Sequence, residues 1–333
     1  MSPTAPPVAS VTVGTRGSAL ARAQTNAVVA LLGAVWPGLA HKVRPIVTAG
    51  DRSQASGEPL PEIGGKGLFT AELEQALREG EIDLAVHSLK DLPTEDPPGI
   101  VLGAVCARED VRDCLLARDG LTLGQLPAGA VVGTSSLRRA AQLRALRPDL
   151  ELSSIRGNVD TRVRKVREGE YDAVVLAAAG IHRLGLDEAV TEYLSDMLPA
   201  PGQGALAVQC RGGEERVLEL LQVIDDAPTR ASTTAERAFL RALGAGCTAP
   251  VAAHGEVTAS RHERPRCDLS QGLDVRLVGL VASVDGARLV RVSGEGEPEA
   301  VGERLAREAL EEGADAILAE IRAEGGRGRN GGV

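Results

Sequence analysis

Val11-Thr12-Val13-Gly14-Thr15-Arg16-Gly17-Ser18-Ala19 is the stretch on which the fold turns. Three residues suited to a pleated, buried strand run into a glycine-flanked loop. A helical pattern follows from about Ala19 to Gly33, with Ser18 placed to cap it. A strand, a small-residue loop and a helix N-terminus together present backbone N–H groups and the positive end of a helix dipole to an anion. Arg16 reads equally as a ligand for that anion or as an exposed arginine. The pattern returns where Ala130 to Val132 runs into Gly133-Thr134-Ser135-Ser136-Leu137-Arg138-Arg139. It returns again where Leu150 to Ile155 runs into Arg156-Gly157-Asn158-Val159-Asp160-Thr161-Arg162. Asp172 to Ala178 is a further strand, followed by Ala179-Gly180-Ile181-His182-Arg183. Strands alternating with helices predict an α/β fold whose ligands sit past the carboxyl ends of the strands. Arg16, Arg138, Arg139, Arg156, Arg162 and Arg183 all fall there and predict a shared rim for a polyanion. Arg138 and Arg139 stand in the first turn of a helix, where cations oppose the macrodipole, so an anion is expected beside them.

Bulk properties agree. The 333 residues suffice for two or three domains. Aromatics are only 2%, so the cores must be built from Val, Leu, Ile and Ala. A formal charge of −9 disfavours general nucleic-acid binding. No apolar run is long enough to span a bilayer, and the start has no basic or apolar region of a secretion signal. The five cysteines form no CxxC pair and fit a reducing cytoplasm. Cys106, Cys114 and Cys210 lie in apolar strands and read as inert core residues. Cys247, in Gly244-Ala245-Gly246-Cys247-Thr248, is flanked by small residues on a helix-to-strand loop, as a reactive thiol or a tolerated loop cysteine would be. The spacing of His254, His262 and Cys267 fits no common metal site, so no metal is expected.

Asp83-Leu84-Ala85-Val86-His87-Ser88-Leu89-Lys90-Asp91-Leu92-Pro93-Thr94 begins as a buried strand and breaks into polar residues at its end. Lys90 and Asp91 read as an ion pair at a strand end or as groups for proton transfer and charge stabilisation. The long loop from Ala49 to Gly67 ends in Gly64-Gly65-Lys66-Gly67 but lacks the Walker spacing. A helix is expected from Leu68 to Glu79. Thr229 to Leu243 reads as an amphipathic helix with Ala231, Ala235, Ala238 and Ala242 on one face. Strands near Leu273 to Val284 and Arg288 to Gly294 and a helix from about Pro298 to Gly313 suggest a smaller α+β unit. The segment Ser260 to Gln271 reads as a surface insertion.

TRGSALA (15–21), GGKGLFTAELE (64–74), AVHSLKDLPT (85–94), GTSSLRRAAQL (133–143), IRGNVDTR (155–162), PGQGAL (201–206), TAERAFL (234–240) and GAGCTAP (244–250) together resemble the porphobilinogen deaminase (hydroxymethylbilane synthase) family. The resemblance covers about Val11 to Ile321. It implies three domains, the first two like the lobes of type II periplasmic-type binding proteins with the active site between them. The expected boundaries are 10–107 with 205–226, 108–204 and 227–323, with loose tails at 1–9 and 324–333. It also implies a cytoplasmic, monomeric transferase of tetrapyrrole (haem) biosynthesis. Such an enzyme joins porphobilinogen head to tail into hydroxymethylbilane and releases ammonia, with no membrane or nucleic-acid partner. By the same resemblance a dipyrromethane cofactor is attached to Cys247 through a thioether, and Asp91 is the catalytic aspartate. Lys90, Asp91, Ser136, Arg138, Arg139, Arg156 and Gly157 are implied as cofactor-binding. Arg16, Ser18, Arg162, Arg183 and Gln203 are implied as substrate-binding, and Lys66 and Phe69 as active-site loop residues. Glu62 stands where the family commonly has a second lysine, and Ala245 replaces a usual glycine.

The chemistry suits these residues. Each pyrrole unit carries an acetate and a propionate, for which arginines are natural partners. Pyrrole N–H groups donate to a carboxylate, and loss of ammonia leaves an azafulvene cation that the same carboxylate stabilises. A two-lobed anion receptor would also explain the arginines, but not Cys247 or the third unit.

Overall fold

A computed structural model describes residues 5–50, 70–246, 249–258 and 272–327. In chain order the first elements are β1 (Ser10–Arg16), α1 (Ala19–Val35), β2 (Ala40–Ile46), α2 (Ala71–Arg78), β3 (Leu84–Ser88) and β4 (Ile100–Val105). Next come β5 (Asp113–Ala117), β6 (Val131–Gly133), α3 (Leu137–Leu146), β7 (Glu151–Ser153), α4 (Val159–Arg167), β8 (Ala173–Ala177), α5 (Ala178–Arg183) and β9 (Glu192–Leu194). The chain continues through β10 (Leu206–Arg211), α6 (Glu215–Gln222), α7 (Ala227–Ala242), β11 (Val251–Thr258), β12 (Asp274–Ala282), β13 (Leu289–Gly296), α8 (Pro298–Ala309) and α9 (Asp315–Arg327).

Two compact units emerge. One comprises Met1–Asp110, Ala179–Gly185 and Gln203–Arg230; the other holds Val111–Ala178, Leu186–Gly202 and Ala231–Val333. The first unit is built on a sheet of order β2-β1-β3-β10-β4. The strands β2, β1 and β3 are parallel, and β10 runs antiparallel between β3 and β4. The second unit repeats this plan in the order β7-β6-β8-β5-β9, with β5 in the antiparallel fourth position. In each sheet that fourth strand comes from outside the sheet's own strand–helix–strand run. The α/β class is as the alternation predicts, and the two like sheets are as the resemblance implies.

Apolar strands make both cores. Val11, Val13, Leu84, Val86 and Val208 pack under Val28 and Leu32 of α1, under Trp36 just after it, and under Val217, Leu220 and Leu221 of α6. The opposite face takes Leu73, Ala76 and Leu77 of α2. In the second sheet Leu115, Val132, Ala173 and Val175 meet Leu143 of α3. The second unit also holds an antiparallel sheet, β11-β12-β13, covered by α7 and α8 around Phe239.

Some boundaries depart from the sequence reading. Ala231, Ala235 and Ala238 are buried, but Ala242 is exposed, because α7 ends there and Leu243 takes the core position instead. The helix begun at Pro298 stops at Ala309. After a wide turn through Leu310–Ala314, in which Gly313 has φ 104°, α9 runs on to Arg327, into the stretch expected as a tail. No helix among the described residues is long and apolar enough to cross a membrane.

Candidate functional site

In the first unit β3 gives way to a single 3-10 turn, Leu89–Asp91. Leu89 and Leu92 are buried against Val105, Ala205 and Ala207, and the Leu89 N–H donates to Ala205 O at 3.0 Å. The apolar anchors on either side push Lys90 and Asp91 outward. The Lys90 Nζ donates to Gln203 Oε1 at 3.2 Å, and Gln203 is fully buried. Asp91 is exposed, and its carboxylate has no hydrogen-bond or ion-pair partner among the described residues. The ion-pair reading of Lys90 and Asp91 therefore gives way. The ammonium turns to an amide, and the carboxylate is left open.

His87 lies just before this turn and is buried. Burial, and then the nearby Arg16 charge, push its imidazole down to about 4, against a hydrogen bond with Gln209. Its Nε2 has no hydrogen-bond partner among the described residues. Ser18 caps α1 by accepting from the Ala21 N–H at 3.2 Å, and Gln24 Nε2 donates to Ser88 Oγ at 2.7 Å. Arg183 belongs to this unit although it follows β8, a strand of the other one. Its Nη2 donates to Gly204 O at 2.7 Å, and burial lowers its pKa. Gly204 itself has φ 90°, and a Cβ there would lie 2.4 Å from Glu109 O. The Gln203-Gly204 turn thus holds both Lys90 and Arg183.

In the second unit Ser136 caps α3, accepting from the Arg139 N–H at 3.5 Å. Arg138 and Arg139 are 4% and 7% exposed. Both grip Asp113, the fully buried first residue of β5. Arg138 Nη1 reaches Oδ2 at 2.6 Å and its Nη2 reaches Oδ1 at 3.3 Å. Arg139 donates to Oδ1 from Nε at 3.0 Å and from Nη2 at 2.8 Å. Burial alone would raise the Asp113 pKa, but the two guanidiniums overcome it and hold the carboxyl below the usual range. The anion expected beside these cations is thus, in the first place, the chain's own Asp113. The sequence reading singled out Arg138 and Arg139 but not Asp113; the signal was an acid contiguous with the apolar run Cys114-Leu115-Leu116.

Two positive charges against one negative leave the cluster cationic. The Arg138 Nε is buried without an acceptor among the described residues. This donor set suits a ligand rich in carboxylates, such as a dipyrromethane. Arg156 is exposed, and Arg162 is half-buried with its Nε on Gly157 O at 2.8 Å. Burial, and next the Arg139 charge, lower the Arg162 pKa. Gly157 has φ 112°, and a Cβ there would lie 2.7 Å from Thr161. Arg16 and Arg183 belong to one unit, and Arg138, Arg139, Arg156 and Arg162 to the other. Cys106, Cys114 and Cys210 are buried free thiols, and burial pushes Cys106 up to about 12 and Cys210 to about 11. Cys247, Lys66, Phe69, Glu62, Cys267 and the 260–271 segment lie outside the described residues.

Comparison with known proteins bears on this geometry. The family profile described as "Porphobilinogen deaminase, dipyromethane cofactor binding domain" matches residues 11–219, and "Porphobilinogen deaminase, C-terminal domain" matches 231–311. A porphobilinogen deaminase of Roseiflexus castenholzii is 49% identical over 93% of this chain and 99% of its own length. One from Mycobacterium avium is 49% identical over 96% of this chain and 99% of its own. Among solved structures, the BvgS VFT2 domain of Bordetella pertussis aligns with 65% of this chain and 86% of its own at 17% identity and a TM-score of 0.41. A methionine-bound nutrient binding protein of Burkholderia cenocepacia aligns with 64% and 90% at 14% identity and a TM-score of 0.41.

Proposed function

The chain belongs to the porphobilinogen deaminase family, and on that premise we propose how its residues carry the family's reaction. The enzyme is a transferase of tetrapyrrole biosynthesis that joins porphobilinogen into hydroxymethylbilane with loss of ammonia and uses a dipyrromethane cofactor. The observation that carries the residue-level reading is the open carboxylate of Asp91 on a turn locked by Leu89 and Leu92. Asp91 accepts from a pyrrole N–H and stays charged beside the carbon that becomes cationic as ammonia departs. Lys90, turned to Gln203, makes no ion pair with that carboxylate. Gln203, fully buried, acts through the Lys90 that it holds.

Arg16 and Ser18, with Arg183, bind substrate carboxylates in the first unit, as does Arg162 in the second. Ser136, Arg138, Arg139, Arg156 and Gly157 hold the cofactor's carboxylates, as does Lys90. Cys247 is the attachment point through a thioether, and Lys66 and Phe69 belong to the active-site loop. When bound, the dipyrromethane supplies the pyrrole carbon from which the product chain grows. The three sheets and the matched regions support the division 10–107 with 205–226, 108–204 and 227–323. The reduced, buried Cys106, Cys114 and Cys210 support a cytoplasmic setting. A monomer is the expected state.

Intact mass tests this reading. Protein made with ample porphobilinogen is expected to carry two extra pyrrole units and to colour with Ehrlich's aldehyde reagent. Cys247→Ser is expected to lose the adduct, since a hydroxyl is a far poorer nucleophile than a thiolate near neutral pH. A normal adduct in Cys247→Ser would move the attachment elsewhere, with Cys267 the first residue to replace.

A further inference from the structure

We propose that Asp113 is a positioning residue of the cofactor site, fixing the guanidiniums of Arg138 and Arg139 in one geometry and reducing their joint charge to a single positive one. The inference rests on the reading of those arginines as cofactor ligands. Asp113 is fully buried, so it touches no ligand itself. Its two oxygens receive four N–H contacts between 2.6 and 3.3 Å from two consecutive arginines. Consecutive residues on a helix point about 100° apart. Two guanidiniums in that relation converge only if an acceptor lies between them, and β5 places Asp113 there.

Further acceptors complete the frame. Leu198 O takes Arg138 Nη1 at 2.7 Å, and Val175 O takes Arg139 Nη1 at 3.1 Å. Gln142 reinforces it, donating to Leu198 O at 3.0 Å and accepting from the Leu198 N–H at 2.8 Å. Without the carboxylate, two like charges would sit side by side in a buried position at the positive end of a helix. With it, one net positive charge remains to meet a carboxylate of the ligand. A shift of about 1 Å in such a frame is enough to cost on the order of a hundredfold in a positioned reaction.

The test uses the full chain produced without porphobilinogen, then incubated with it. The rate of adduct formation is read by intact mass and corrected for the folded fraction at that temperature. Asp113→Glu keeps the charge balance but moves the carboxylate by about one methylene. It is expected to remain folded and to load at least about tenfold more slowly. Asp113→Asn is expected to load more slowly still. Its loading should also depend more steeply on ionic strength, because two net positive charges then face the ligand. A purely structural ion triad would leave the corrected rate and the salt dependence unchanged.

Folded Asp113→Glu with a wild-type loading rate would therefore overturn the proposal. Loss of fold in both variants would overturn it as well, because the carboxylate would then serve the fold alone. Arg138→Leu separates this proposal from the reading beneath it. Normal loading in Arg138→Leu removes the arginine from the cofactor site. Failed loading there beside normal loading in Asp113→Glu sinks only the role of Asp113.

Discussion

Asp91→Asn separates charge from shape. The side chain is exposed and has no partner among the described residues, so the fold is expected to keep its wild-type melting temperature. Turnover should fall on the order of 10²–10³, because the charge matters most when the substrate carbon turns cationic. Asp91→Glu should retain more activity than Asp91→Asn. Near-normal turnover in Asp91→Asn would remove the residue from the chemistry. His87 makes a different prediction. Its folded pKa lies at about 4, below the ordinary 6.5, so the unfolded chain binds the proton first as pH falls. Stability from this residue is thus intact above the unfolded value and is lost as pH drops from there toward the folded value. The loss amounts to roughly 2 kcal/mol between about pH 7.5 and about pH 5. His87→Gln should lose that increment, read as the difference between its urea midpoints and those of the wild type at the two pH values. Parallel pH profiles would show that the imidazole is not the titrating group.

The turn Gln203-Gly204 shows how one short element sets several side chains. Lys90 rests on the Gln203 amide and Arg183 on the Gly204 carbonyl, while Arg108 Nε donates to Gln203 O at 2.8 Å. Gly204→Ala should destabilise by about 2–3 kcal/mol, since a Cβ meets both an unfavourable φ and the Glu109 carbonyl. Because the same shift moves Lys90 and Arg183, kcat/KM should fall even where the variant is fully folded. A wild-type urea midpoint would mean that the turn relaxes freely. The sequence showed a Pro/Gly interruption at this point. It did not show that the interruption is the support for residues 21 and 113 positions away.

For the whole molecule, the cationic Arg138–Asp113–Arg139 cluster ties stability to ligand. A bound anion that contacts the native fold alone stabilises it. The chain without cofactor is therefore expected to melt about 5 °C or more below the loaded form. Equal melting temperatures in thermal scans of the two forms would show that cofactor carboxylates do not engage the buried arginines. The repeated sheet plan belongs to this scale too. Both fourth-position strands, β10 and β5, are antiparallel to their neighbours, and no local pattern in Leu206–Arg211 or Asp113–Ala117 announces that.

By itself the sequence determined the strand–loop–helix units, the cap Ser18, the burial of Cys106, Cys114 and Cys210, and the placing of arginines just after strands. These are written in short-range periodicity and in residue chemistry, which neighbours along the chain suffice to read. The roles of Asp91 and Cys247 are proposals that rest on the family motifs. Only the tertiary structure decided that Lys90 turns to Gln203 instead of Asp91, that Arg183 joins the first unit, and that Asp113 lies between Arg138 and Arg139. Each of these depends on which strand is brought beside which. A buried charge finds its partner through the strand order of the sheet, across sequence separations over which local propensity carries no information.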